Sequence, residues 1–336
     1  MPRVYLQDRE PIHFKFEQNQ EDFIVDEIGL EWKKSGNYAI LHVQKIEMTT
    51  WDMVAALAEY LNINAEKIGY AGLKDKHATT RQYISVEARF ERELHKFKHP
   101  QITILSMTRH NQAIRMGDLL GNRFAINLFE VTPIWAGQIQ KSAQKAEQFG
   151  IPNYFGYQRF GRNLDSIEQA KKMIDGEITI EDAKLKNFLI SVYQSEHFNN
   201  WLAERVMISR EKNGGKFLLL NGDLYVDKNG KIFTPKQPPQ KDFESQKVVP
   251  TGLLCGRGVY RSQDEALAIE EKYDDMFLQD KGSRREAIVF PQDVTLKYFN
   301  NFDKMSIAFT LPKGSYATVF LEHIAAKEFK PKKLKK

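Results

Sequence analysis

Three polar segments hold the side chains whose types and spacing can do chemistry. They are Gly72–Gln82 (GLKDKHATTRQ), His110–Phe124 (HNQAIRMGDLLGNRF) and Pro152–Gly161 (PNYFGYQRFG). Asp75 lies between Lys74 and Lys76. Nearby cations favour the charged form of a carboxylate, so it is expected to be ionised at neutral pH. A fixed, ionised carboxylate can attack carbon and form a covalent intermediate. Lys-Asp-Lys also suits a charged surface turn. Asn122 and Phe124 flank Arg123 at a strand start, where period-2 alternation puts both on one face. An amide that reads a base edge, beside a ring that stacks on it, makes a nucleobase pocket. The plainer alternative is a turn asparagine followed by a core phenylalanine. Tyr154, Phe155, Tyr157 and Phe160, interleaved with Gln158, Arg159 and Arg162, fit a nucleic-acid surface or an aromatic packing knot.

Other chemistries lack their residues. There is no G-x-x-x-x-G-K-[ST] and no G-x-G-x-x-G after a strand; Gly256-Arg257-Gly258 reads as a turn. His95 and His99 are spaced i, i+4, but His99 precedes Pro100, where helix is disfavoured, and no third metal ligand is near. No G-x-S-x-G is present, and Cys255, the single cysteine, has no neighbouring histidine. It can form neither an internal disulfide nor a thiolate zinc site. Metal, nucleotide cofactor and serine or thiol catalysis are unsupported, so no cofactor is expected.

The elements that must position these residues belong to an ordinary globular chain of 336 residues, 42% hydrophobic and 28% charged. That excludes disordered, collagen-like and coiled-coil classes. Lys+Arg is 49 against 44 Asp+Glu, a net charge of +5, which permits a polyanionic partner. No run of apolar residues is long enough for a membrane span and no secretory signal opens the chain, so a cytoplasmic location is expected. Strands are expected at 22–28, 37–43, 83–86, 102–107, 124–131 and 305–311. Helices are expected over 51–61 (capped at Thr49-Thr50), 133–150, 165–174, 184–212, 264–278 (capped by Ser262) and 316–326. Between them, 217–231 reads as a hairpin with an Asn-Gly turn and 234–250 as a loop. The lysine-rich end, 327–336, reads as a solvated tail or a phosphate-contacting arm.

Together the three segments resemble the TruD family of tRNA pseudouridine synthases. The family's G-x-K-D-x-x-A-x-T-x-Q is matched from Gly72 to Gln82 at every fixed position. A histidine-asparagine start running to G-N-R-F is matched from His110-Asn111 to Gly121-Asn122-Arg123-Phe124, and N-Y-F-G-x-Q-R-F-G from Asn153 to Gly161. Weaker similarities are Asp22-Phe23-Ile24-Val25-Asp26-Glu27, Pro250-Thr251-Gly252 and Leu311-Pro312-Lys313-Gly314-Ser315-Tyr316-Ala317-Thr318. Lys15 is the candidate for the lysine that the family carries ahead of its D-F-x-V-x-E strand.

The resemblance implies an α/β (α+β) fold: a pseudouridine synthase catalytic domain with a mixed, mainly antiparallel sheet, plus an inserted TruD-specific domain. Residues 1–152 and 290–336 would form the first and 153–289 the second. It implies isomerisation of uridine to pseudouridine in RNA, at uridine 13 of tRNA, with Asp75 as nucleophile on a flipped-out base and no metal or other cofactor. Phe124, Asn122, Phe23 and Lys15 would bind the substrate nucleotide. Lys74, Lys76, Arg81, Arg159 and Arg162 would meet phosphates. The protein would act on tRNA as a monomer away from membranes. The alternatives are a synthase of the same class acting on another RNA, and a non-catalytic RNA-binding or RNA-folding module.

Overall fold

The computed structural model describes residues 2–161 and 165–330. Arg162 and residues 331–336 of the tail lie outside the described residues. In chain order the elements are β1 (Phe23–Gly29), β2 (Tyr38–Ile46), α1 (Thr50–Leu61), β3 (Gly69–Tyr70), β4 (Thr79–Glu87), α2 (Glu91–Leu94), β5 (Ile102–His110), β6 (Leu119–Phe129) and α3 (Pro133–Phe149). They continue with β7 (Ile151–Pro152), α4 (Asp165–Ile174), α5 (Ala183–Asn213), β8 (Leu224–Asp227), β9 (Ile232–Phe233), α6 (Gln240–Glu244), β10 (Val248–Leu254) and α7 (Asp264–Glu270). The last are β11 (Ser283–Glu286), β12 (Ile288–Val289), β13 (Gln292–Phe299), β14 (Lys304–Pro312) and α8 (Ala317–Ala325).

Two compact units divide the chain. One comprises His13–Gln140 and Gln292–Gly314; the other comprises the residues up to Ile12, Lys141–Pro291 and those from Ser315 on. The second unit thus takes in β7, which pairs with β12, and α8, whose Val319 packs in one core with Trp201.

The first unit is built on an eight-stranded sheet in the order β13-β14-β6-β1-β4-β2-β5, with β3 also on β4. Only the β1–β4 pair is parallel, so the sheet is mixed and mainly antiparallel. Strand β2 alternates Ala39, Leu41 and Val43 inward. Helix α1 covers that face with Met53, Val54, Leu57, Ala58 and Leu61 at helical spacing. Each buried Val, Leu or Met among these stabilises the unit by about 1.5–3 kcal/mol. A capping box fixes the start of α1: Thr49 accepts from the Asp52 amide, and Asp52 accepts from the Thr49 amide.

The second unit centres on α5, whose N-cap Asp182 accepts from the Lys184 and Leu185 amides. Its Leu189, Val192, Phe198, Trp201, Leu202 and Val206 are buried in one core. A four-stranded sheet, β11-β10-β8-β9, lies in the same unit. The paired charges Arg205 and Asp223 are buried there, with guanidinium-to-carboxylate bonds of 2.6 and 2.9 Å.

Three expectations change here. Residues 217–220 form no strand, because the Leu218 and Leu220 amides are taken by the Ser209 hydroxyl and the Asp223 carboxylate. The span 234–250 contains α6 and the start of β10. Helix α7 is preceded by Gln263, not capped by Ser262, whose amide and hydroxyl both donate to Glu270; the helix ends at Glu270. Among the described residues no helix is long and apolar enough to cross a membrane, and no cluster of three His, Cys, Asp or Glu could hold a metal ion.

Candidate active site

The site is assembled on one face of the large sheet by strand register. Phe309 of β14 pairs with Phe124 of β6, Phe124 with Val25 of β1, Val25 with Thr80 of β4, and Thr80 with Lys45 of β2. Paired residues share a face, so this row runs across five strands. In the neighbouring row Leu311 pairs with Asn122 and Asn122 with Glu27. The glycine of G-N-R-F is required by this packing: a Cβ on Gly121 would lie 2.3 Å from the Leu311 carbonyl oxygen.

The loop after β3 carries Lys74, Asp75 and Lys76, and buried polar groups hold it from below. The Lys74 amide donates to the Thr50 hydroxyl (2.9 Å), which itself donates to Gln82 Oε1 (3.0 Å). Gln82 Nε2 donates to the Gly72 carbonyl at 3.4 Å. Lys74 Nζ donates to Asn122 Oδ1 at 2.9 Å and lies 2.6 Å from Glu27 Oε2. The Glu27 contact is ionic and off the ideal hydrogen-bond direction, since Oε2 has no aligned donor. Both side chains are buried, and removing one partner of such a pair leaves an uncompensated charge, at a cost of about 3–5 kcal/mol.

Lys45 is fully buried. Its ammonium donates to the Met48 carbonyl (2.6 Å) and to the backbone carbonyl of Asp75 (2.8 Å). Burial lowers its pKa from 10.5 to about 8, against the raising effect of Asp75. The Asp75 carboxyl is raised above the usual carboxylate range, first by the protein packed around it; Lys45, Lys74 and His77 oppose the rise. The residue is nonetheless solvent-exposed, so water tempers that desolvation and a substrate can reach it. The flanking cations are where the sequence puts them, but desolvation outweighs them.

Phe124 is buried, stacked on Phe309 (5.4 Å between centroids, 26°) and met edge-on by Phe23 (6.4 Å, 65°). Phe23 is buried as well. Lys76 is exposed beside Asp75. Arg81 pairs in register with Asp26 and Gln44, on the face opposite Asn122 and Phe124; it bonds Gln44 at 3.0 Å and Asp26 at 3.4 Å. Lys15 is not brought to the group. It bridges Phe129, five residues and about 17 Å along β6 from Phe124, and its ammonium is held by Glu130. Arg159 belongs to the second unit, where it bonds Ser195 and lies over the rings of Phe155 and Phe188. Tyr154, Phe155 and Phe160 are buried in that unit's core, so this segment is an aromatic knot.

Two site residues were missed. Glu27 lies within a segment quoted for its pattern and is the buried partner of Lys74. Lys45 falls on the inward parity of β2 after Ala39, Leu41 and Val43, and a lysine at that parity is the signal that points to it.

A family model described as tRNA pseudouridine synthase D (TruD) matches residues 2–181 and 167–324. The chain belongs to the TruD family. TruD relatives carrying the name tRNA pseudouridine synthase D include those of Wolinella succinogenes, 37% identical over 98% of this chain and 99% of the relative, and of a Nitratiruptor species, 38% identical over the same shares. The crystal structure of the putative TruD of Methanosarcina mazei has a TM-score of 0.75 at 21% identity, covering 97% of this chain and 96% of that one. That likeness supports the mixed α/β fold.

Proposed function

We propose that this TruD chain isomerises uridine to pseudouridine in tRNA, at position 13, with Asp75 as the nucleophile. The carrying observation is the Lys74 bridge: one ammonium ties the Asp75 loop to Asn122 and Glu27 on adjacent strands. The loop is thereby held at the rows that carry Asn122 and Phe124. The target base leaves its stack, which costs a few kcal/mol. The Asp75 carboxylate adds to the uracil ring or to the ribose carbon. The N-glycosidic bond breaks, the uracil turns, and a carbon–carbon bond to the ribose forms. The ring carbon gives up its proton, the former glycosidic nitrogen gains one, and the carboxylate is released unchanged. With Asn122 Oδ1 engaged by Lys74, the amide nitrogen is the end that donates to a uracil carbonyl. The Phe23–Phe124–Phe309 stack forms an apolar floor, and Lys76 meets a phosphate.

The enzyme is a cytoplasmic monomer in this reading, and the isomerisation calls for no cofactor. Chemical mapping of pseudouridine in tRNA from cells with and without the gene tests it. Loss of the modification at one uridine, position 13, is expected on deletion; an unchanged map overturns the reading.

A further inference from the structure

Single exposed apolar side chains are common on soluble proteins, but a cluster around one loop marks an interaction site. The loop that carries Asp75 has such a cluster. Trp51, in the first turn of α1, is 59% exposed, and Leu73, two residues before Asp75, is 55% exposed. Met116 and Leu120, on either side of Gly117, are exposed as well. Hydrogen bonds tie both segments to the loop: Lys74 N to the Thr50 hydroxyl at 2.9 Å and Gly117 N to the Ala71 carbonyl at 2.7 Å.

Resting on the function proposed above, we infer that Trp51 is a second stacking position, taking an unpaired nucleobase next to the one presented to Asp75. The indole is set for this. Its ring makes a T-shaped contact with Tyr70 at 5.7 Å and 81°, which restrains its plane while leaving the residue 59% exposed. The capping box immediately before it holds its backbone. The surroundings favour RNA over an apolar protein partner: Lys76 is exposed on the same loop, and the Glu47 carboxylate beside it is taken up by His77 at 3.1 Å. Asp52, next to Trp51 in the chain, is occupied by the Thr49 amide and hydroxyl at 3.0 and 2.7 Å. Bases of any sequence stack on an indole, so the shelf adds affinity without adding sequence preference.

The test titrates the full-length protein with tRNA transcript and with an unstructured oligouridine, reading tryptophan fluorescence and binding together. The wild type is expected to be quenched by both RNAs. Trp51→Phe should lose the quench yet keep affinity within about two-fold, and Trp51→Ala should weaken binding about ten-fold with KM rising more than kcat falls. The side chain is largely in solvent, so an unchanged melting temperature separates this loss from unfolding. Wild-type affinity in Trp51→Ala, or a quench that persists in Trp51→Phe, overturns the shelf. A Trp51-dependent quench from a protein that makes no pseudouridine would support the shelf and sink only the reaction.

Discussion

Lys45 sits where strand alternation calls for an apolar residue, and its ammonium grips the backbone carbonyl of Asp75, the proposed nucleophile. Below about pH 8 it is charged in both folded and unfolded chains, and the cost of burying that charge is fully present. Between about 8 and its ordinary 10.5 the folded state gives up its proton first, so stability rises with pH through that window. Lys45→Met is therefore expected to flatten the denaturation midpoint against pH above about 8. It should also lower kcat by up to about 100-fold with a smaller loss of tRNA affinity, because a shifted Asp75 carboxylate affects the chemical step first and the neighbouring Lys76 only second. Asp75 behaves in the complementary sense. Its carboxyl is raised by desolvation, so the ionised group costs the fold something at neutral pH. Asp75→Asn is expected to melt at or above the wild-type temperature while losing all turnover, as thermal scans beside single-turnover assays would show. The Gly72–Gln82 motif singled out Asp75 and Lys74, but the role expected of Lys74, a phosphate contact, does not fit: its side chain is buried against Glu27 and Asn122. Lys45 was not legible, because a lone lysine in a strand reads as an outward residue until register shows which parity is buried. Lys15 was suggested by its place in the chain, and strand pairing sends it to the far end of β6.

At the scale of elements, two contacts set the site's frame. The β6–β14 pair closes over Gly121, where a Cβ would meet the Leu311 carbonyl at 2.3 Å. Gly121→Ala is expected to destabilise the sheet unit by about 1–3 kcal/mol and to displace Asn122, with both stability and kcat falling. The start of α1 places Thr50 under the loop. Thr49→Ala removes the capping box and is expected to cost about 0.5–2 kcal/mol, measured by urea unfolding. Periodicity showed α1, α4 and α5 almost to the residue, because each has an apolar face, or a charged and capped end, readable from local spacing. It failed at 217–220 and at Ser262, where long-range partners, Ser209 and Glu270, claim groups that local chemistry would assign to a strand or a cap. The row Phe309–Phe124–Val25–Thr80–Lys45 joins residues far apart in sequence, so only strand order reveals it.

For the whole molecule, a net charge of +5 and the exposed Lys76 beside Asp75 give tRNA binding an electrostatic part. Affinity should fall steeply as salt rises, with the same slope for wild type and Asp75→Asn, because that substitution removes no phosphate contact. The decisive measurement is single-turnover pseudouridine formation on tRNA by Asp75→Asn at a protein concentration where its binding is saturated. Bound tRNA with no pseudouridine is the expected result. Turnover at the wild-type rate would contradict the assignment of Asp75 as the nucleophile.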